Sequence, residues 1–186
     1  TNGTAIISET ADQTSALDPV ILATGEFLLD VTDLKLKGRG LEIEFKRHYR
    51  NQWERLGPLG YNWTHQYDEK LLTDEKTGDQ IHQLPNGLRY LYRKNTEGIY
   101  LAPQGQFKTL TQTETGHSLS DENKITHYFN KLGNLAAIKD PFGNELKFDY
   151  SLSGEKKGLS RINDTVGNSL DLKYNDSGYL ASIKDN

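Results

Sequence analysis

Leu135-Ala136-Ala137-Ile138-Lys139-Asp140-Pro141-Phe142-Gly143-Asn144-Glu145-Leu146-Lys147-Phe148-Asp149-Tyr150 is the stretch that decides the fold, because its key positions return. Leu135, Ile138, Asp140, Gly143 and Leu146 recur twenty-four residues on, at Leu159, Ile162, Asp164, Gly167 and Leu170. Asn144 recurs as Asn168 and Tyr150 as Tyr174. A copy starts at Tyr128 with Gly133, a second at Tyr150, and a third at Tyr174 with Gly178, Leu180, Ile183 and Asp185. A fixed period in the twenties to forties marks a fold made by stacking one supersecondary unit on the next. The segments 146–150 and 170–174 alternate apolar and polar, as half-buried strands do. Each is preceded by Gly-Asn, a pair suited to a tight reversal. Each unit therefore reads as a β-hairpin. The alternative is an ordinary antiparallel meander with coincidental spacing.

Working outward, 186 residues suffice for one ordinary domain or two small ones. Hydrophobic residues make up 34% of the chain, and the mean hydropathy is −0.73. That composition predicts thin, largely solvated sheet better than a thick core. Ten Tyr and 17 Gly point to many strands and many turns. No stretch combines sustained apolar spacing of three and four residues with capping signals, so no helix is expected.

Upstream, Phe27 to Val31 begins a strand whose apolar phase shifts at Thr32-Asp33, where a bulge or corner is expected. Gly38-Arg39-Gly40 reads as a turn, and Leu41 to Tyr49 as the cleanest strand. Gly57-Pro58-Leu59-Gly60 reads as a turn-rich loop, and Pro85-Asn86-Gly87 opens a hairpin.

The pattern Tyr-x-x-x-Gly-x-Leu-x-x-Ile-x-Asp-x-x-Gly-Asn resembles the YD repeat of the RHS-repeat proteins. The copy from Tyr128 fits it best; the second carries three extra residues around Ser153-Gly154-Glu155-Lys156-Lys157. Asp18-Pro19-Val20, Ala23-Thr24-Gly25-Glu26, Thr32-Asp33-Leu34, Phe45 to Asn51 and Gly57 to His65 resemble the domain that opens bacterial RHS proteins. That family includes bacterial polymorphic toxins, the B/C components of insecticidal toxin complexes, and teneurins. The resemblance implies an all-β fold in which antiparallel hairpin repeats form part of a spiralling β-shell, or cocoon. It further implies encapsulation of a C-terminal toxin domain for export, in interbacterial competition or host intoxication. The implied partners are the rest of the shell, the enclosed toxin, and a secretion-system spike or adaptor such as that of type VI secretion. A self-cleaving aspartate site of some relatives would lie downstream, so no enzyme is expected in this stretch.

The expected organisation is a flexible lead-in over 1–17, an RHS-associated cap over 18–75, a hairpin segment over 76–125, and YD repeats over 126–186. Methionine is absent, even at position 1, and the repeat is still running at Asp185-Asn186. A piece of a longer chain is expected, with a last strand prone to edge-to-edge self-association.

The remaining chemistry is sparse. Net charge is −4 with no basic cluster, which argues against nucleic acid as a partner. No apolar run reaches the length of a membrane span, and no signal peptide is visible. Cysteine is absent, which excludes thiolate chemistry and Cys-ligated zinc. His48, His65, His82, His117 and His127 lack the close spacing with carboxylates that metal sites show, so structural roles are expected and no metal or cofactor. Asp140 and Asp164 read as side chains that bond turn N–H groups, not as paired acids. Trp53, Tyr61, Trp63 and Tyr67 admit two readings. Trp53 and Trp63 anchor the Gly57-Pro58-Gly60 loop, or the aromatics bind sugar rings on an adhesin or carbohydrate-binding module.

Overall fold

The computed structural model describes residues 20–21, 24–153 and 156–185, with the side chains of 152, 153, 156 and 157 left aside. The expected lead-in, Asp18-Pro19, Ala23 and the centre of the 153–157 insertion lie outside the described residues. All regular structure among the described residues is strand.

Strands β1 (Val20–Ile21), β2 (Glu26–Leu36), β3 (Ile43–Arg50) and β6 (Trp63–His65) form one antiparallel sheet in that order. Between them β4 (Leu56–Gly57) and β5 (Gly60–Tyr61) make a small hairpin around Pro58-Leu59. A second sheet runs β10 (Tyr100–Leu101), β9 (Arg89–Lys94), β8 (Gln80–Gln83), β7 (Lys70–Thr73). The third is an eight-stranded meander: β11 (Thr109–Thr113), β12 (Gly116–Ser120), β13 (Thr126–Asn130), β14 (Leu135–Lys139), β15 (Glu145–Ser153), β16 (Lys156–Asp164), β17 (Ser169–Tyr174) and β18 (Leu180–Asp185).

The phase shift at Thr32-Asp33 is a bulge: Thr32 pairs with Lys46 and Leu34 with Phe45, leaving Asp33 over. Asp33 then meets Arg47, whose Nε and Nη2 donate to its two carboxylate oxygens at 2.5 and 2.7 Å. Arg47, which stands in the alternate row of Ile43, Phe45 and Tyr49 on β3, thus serves the bulge.

Every motif copy carries a bulge of its own. Tyr128 pairs with Ala137 and Phe129 with Leu135, so Ala136 is the extra residue. Asp149 pairs with Arg161 and Tyr150 with Leu159, which leaves Ser160 over. Lys173 pairs with Ser182 and Tyr174 with Leu180, which leaves Ala181 over. The Leu-x-x-Ile spacing explains why. Residues three apart on a regular strand face opposite ways. An inserted small residue returns both to one face, and Leu159 and Ile162 are both buried while Arg161 between them is exposed. A bulge also bends its strand and increases the local twist.

The three sheets share one core. Ile43 and Phe45 of the first, Leu71 and Tyr92 of the second, and Phe129, Leu135, Phe148, Ile162 and Leu170 of the third belong to a single buried cluster. Low hydrophobic content predicts thin solvated sheet. Instead, residues between 26 and 101 supply a second layer over one face of the meander, leaving Lys147, Asp149 and Arg161 exposed on the other.

Candidate functional site: the seam between the N-terminal layer and the repeat sheet

The repeated residues come first, since they shape the surface on which the N-terminal layer rests. Asp140 Oδ1 accepts from Phe142 N–H and Asn144 N–H, both at 2.9 Å, and Oδ2 from Asn144 Nδ2 at 2.6 Å. Asp164 repeats the arrangement with Val166 N–H at 3.0 Å, Asn168 N–H at 2.8 Å and Asn168 Nδ2 at 2.6 Å. These bonds to the charged form, led by the one from Asn144, hold the Asp140 carboxyl below its ordinary value. Gly133, Gly143, Gly167 and Gly178 sit at the left-handed position of their turns. The same turn appears with Asn130, whose Oδ1 accepts from Leu132 and Asn134 N–H groups. Upstream of the motif copies, Asn95 uses it with Glu97 and Ile99, and Gly98 at positive φ.

The motif tyrosines have a second shared role. Tyr150 donates its hydroxyl to the Leu135 carbonyl at 2.8 Å, and Tyr174 to the Leu159 carbonyl at 2.7 Å. Each thus satisfies a carbonyl next to a bulged residue on the neighbouring strand. Burial pushes the Tyr174 phenol up to about 12, so both hydroxyls remain donors at ordinary pH. Tyr128, on β13, instead lies under Lys139, whose Nζ is 5.3 Å from the ring centroid.

The seam's centre is Glu69, in the loop between β6 and β7. The residue is 4% exposed. One oxygen bonds His82 Nε2 of β8, and the other His127 Nδ1 of β13 at 2.7 Å. Burial by itself would raise the Glu69 carboxyl, but the hydrogen bonds and charge interactions of His127 and His82 outweigh it and hold the group well below the usual carboxylate range. The linear spacing of the histidines gave no sign of this cluster. Packing of the second sheet on the third brings two of them to one carboxylate. The three side chains do not form a metal site, and among the described residues no group of three or more His, Cys, Asp or Glu does so.

Further bonds tie the layers together. Leu71 N–H donates to the Gly133 carbonyl at 2.9 Å, and Lys70 bridges to Asn134. Asn168 Nδ2 reaches the Lys37 carbonyl at 3.1 Å, and Leu180 N–H the Pro58 carbonyl at 2.7 Å. Tyr67 packs on Phe148 at 5.0 Å between ring centroids and accepts from Glu44 N–H at 3.0 Å. A cavity of about 290 Å³ remains beside these contacts, lined by Arg55, His65, Asp68, Tyr150 and Tyr174. Arg55 Nη2 pairs with Asp68 at 2.5 Å, and burial lowers the His65 imidazole to about 4, leaving it neutral.

Tyr67 is 4% exposed and so is not an open sugar platform. Trp63 is half-buried on β6, with Tyr49 at 5.1 Å and the Arg47 guanidinium at 5.0 Å from its rings. Trp53 lies against Gly87, where a Cβ would overlap the indole, and under Arg55 at 5.0 Å. Its contact is thus the Pro85-Asn86-Gly87 turn, which Arg50 Nη1 and Thr64 Oγ1 also hold, at 2.6 and 2.7 Å. A Cβ at Gly57 would press on the Trp63 backbone carbonyl, and Tyr61 is 57% exposed.

Residues 17–92 match a family model described as a domain of unknown function, DUF6531. The chain is 27% identical over 173 residues to the probable deoxyribonuclease RhsA of Dickeya dadantii, covering 90% of this chain and 10% of that protein. RhsB of the same organism, also a probable deoxyribonuclease, matches at 27% over the same length. The tRNA nuclease WapA of Bacillus subtilis is 25% identical over 130 residues, 69% of this chain and 6% of WapA. The chain therefore spans a tenth or less of the length of these relatives. With the repeat geometry, these similarities point to the Rhs/YD-repeat proteins.

Proposed function

We propose that this stretch is the opening of an RHS-type β-shell in a polymorphic toxin, and that its N-terminal layer plugs the start of the spiral. In this reading residues 18–75 are the cap, 76–125 carry the first hairpins, and 126–186 begin the YD repeats. The wall sequesters a C-terminal toxin domain and does no chemistry itself. Relatives named as nucleases, of which this chain matches a tenth or less, support a toxin elsewhere in the polypeptide. Such a protein acts outside the cell that makes it. No helix among the described residues is long and apolar enough to cross a membrane.

The observation that carries the reading is the bulge at each copy of the motif, at Ala136, Ser160 and Ala181. A bend inserted at the same place in every repeat accumulates into a curved wall. In this reading the N-terminal layer lies on the concave side of that wall.

Limited proteolysis of the full-length protein tests this. The toxin domain should resist cleavage while the seam is intact. It should become sensitive when Glu69→Ala and His127→Ala loosen the cap. A toxin domain digested at the same rate in both proteins would overturn the plug reading.

A further inference from the structure

Two residues that line the cavity of about 290 Å³ at the seam keep buried polar atoms without a partner. Arg55 Nη2 pairs with Asp68 at 2.5 Å, and the guanidinium carbon lies 5.0 Å from the Trp53 ring centroid. Those contacts fix the side chain, yet its buried Nη1 bonds nothing among the described residues. His65, 3% exposed, likewise has a buried Nδ1 that bonds nothing there. A buried polar group left unmade costs its full desolvation. Two of them beside one cavity mark a place for a polar occupant.

The charges of the wall select the kind of occupant. Arg55 and Lys70 share Asp68, with Lys70 Nζ 3.5 Å from Oδ1. Glu69 also lines the cavity, but its two oxygens are taken by His82 and His127. Burial keeps His65 neutral, so it adds no charge. The groups left to meet a ligand, Arg55, Lys70 and Asp68, therefore carry one positive charge in excess. From the repeat sheet come the rings of Tyr150 and Tyr174, whose hydroxyls already donate to the Leu135 and Leu159 carbonyls. A cationic side and an aromatic side enclose a volume near the low end of the roughly 300–1,000 Å³ of ligand pockets.

We propose that this cavity binds a small monocarboxylate with an aromatic body, which joins the N-terminal layer to the repeat sheet. Arg55 Nη1 donates to the carboxylate, and His65, as its Nδ1–H tautomer, is a second donor. The ring lies against Tyr150 and Tyr174. A ligand that touches both layers and leaves on unfolding stabilises the seam by mass action. Both walls lie within the described residues, so the site is independent of the shell reading.

Sodium benzoate is the probe, benzamide its neutral counterpart, and sodium chloride the control for ionic strength. Added to the isotope-labelled 186-residue chain up to about 10 mM, benzoate should give saturable shifts at Arg55, His65 and Tyr174. A dissociation constant on the order of 1 mM is expected for so small a ligand. Benzoate should also raise the melting temperature in step with its concentration, beyond the chloride control. Benzamide should bind roughly tenfold more weakly or worse, because a hydrogen bond to a charged group is lost. Arg55→Gln should weaken benzoate by a similar factor. If that variant fails to fold, the comparison of benzoate with benzamide on the unaltered chain decides. Equal affinity for the two probes, or a folded Arg55→Gln chain that binds benzoate as before, would overturn the proposal. So would shifts centred away from these residues, or no saturable shift at all, since the cavity would then hold water alone.

Discussion

Glu69→Gln changes one oxygen for an NH₂ at the centre of the seam. Glu69 accepts from two imidazoles while nearly excluded from water. A hydrogen bond to a charged group contributes about 1.5–3 kcal/mol net. Gln can still accept one, but it must donate the other to a ring nitrogen that has changed tautomer. We therefore expect a loss of about 2–4 kcal/mol at pH 7, short of the roughly 3–5 kcal/mol for stripping one partner from a buried pair. The pH dependence is the sharper test. The Glu69 carboxyl lies below its ordinary value of 4.5 in the folded chain. Its stabilisation is complete above that value and is lost as pH falls towards the folded one, because the unfolded chain takes up a proton that the folded chain refuses. One such proton corresponds to about 1.4 kcal/mol per pH unit. Urea unfolding followed by tryptophan fluorescence, stepped from pH 5 to pH 3, should show wild type converging on the variant at about that slope. Other carboxylates titrate in both proteins and cancel. Parallel curves, or a difference under about 1 kcal/mol at pH 7, would refute the assignment of Glu69 as the charged centre of the seam.

Tyr150→Phe and Tyr174→Phe should each cost about 0.5–1.5 kcal/mol in urea unfolding, and roughly add when combined, because each hydroxyl serves a different bulge. Gly133→Ala should be far worse than Gly143→Ala, although both positions have positive φ. A Cβ at Gly133 overlaps the Leu71 carbonyl oxygen, whereas at Gly143 it meets nothing within 4 Å. Thermal melts should show a shift of a few degrees for Gly143→Ala and loss of the cooperative transition for Gly133→Ala. Trp63→Ala should lower stability by about 2 kcal/mol, below the roughly 3–5 kcal/mol of a fully buried aromatic, because the ring is only half-buried. A glycan-dependent Trp fluorescence change in wild type, with an unshifted melt in the variant, would favour a sugar contact instead.

Much of this architecture was legible in the chain because it is local. Asp-x-x-Gly-Asn is a complete turn within five residues, so its hairpins could be placed from sequence. The broken phase at Thr32-Asp33 signalled a bulge for the same reason. Leu-x-x-Ile carried that signal too, three times over, since no regular strand places residues three apart on one face. The spacing was visible, but its meaning emerged only with the register around Ala136, Ser160 and Ala181. The seam was not legible at all. Glu69 and His127 are 58 residues apart, and nothing in either neighbourhood marks the other. Tyr67 likewise looks like a loop aromatic until Phe148, on a strand formed much later in the chain, closes over it.

The bulged residue has a consequence for how such a protein can change in size. The extra residues of the second copy fall around 153–157, where β15 ends and β16 begins, while the bend is set at Ser160, further inside the paired region. Length and curvature are thus encoded at separate addresses. A connection at the rim can be extended without altering the angle through which the wall turns. Conversely, one substitution that straightened a bulge would change the radius while leaving the number of strands intact. In the proposed shell, the enclosed volume would then depend on how many copies are written in series, each contributing a fixed increment of arc.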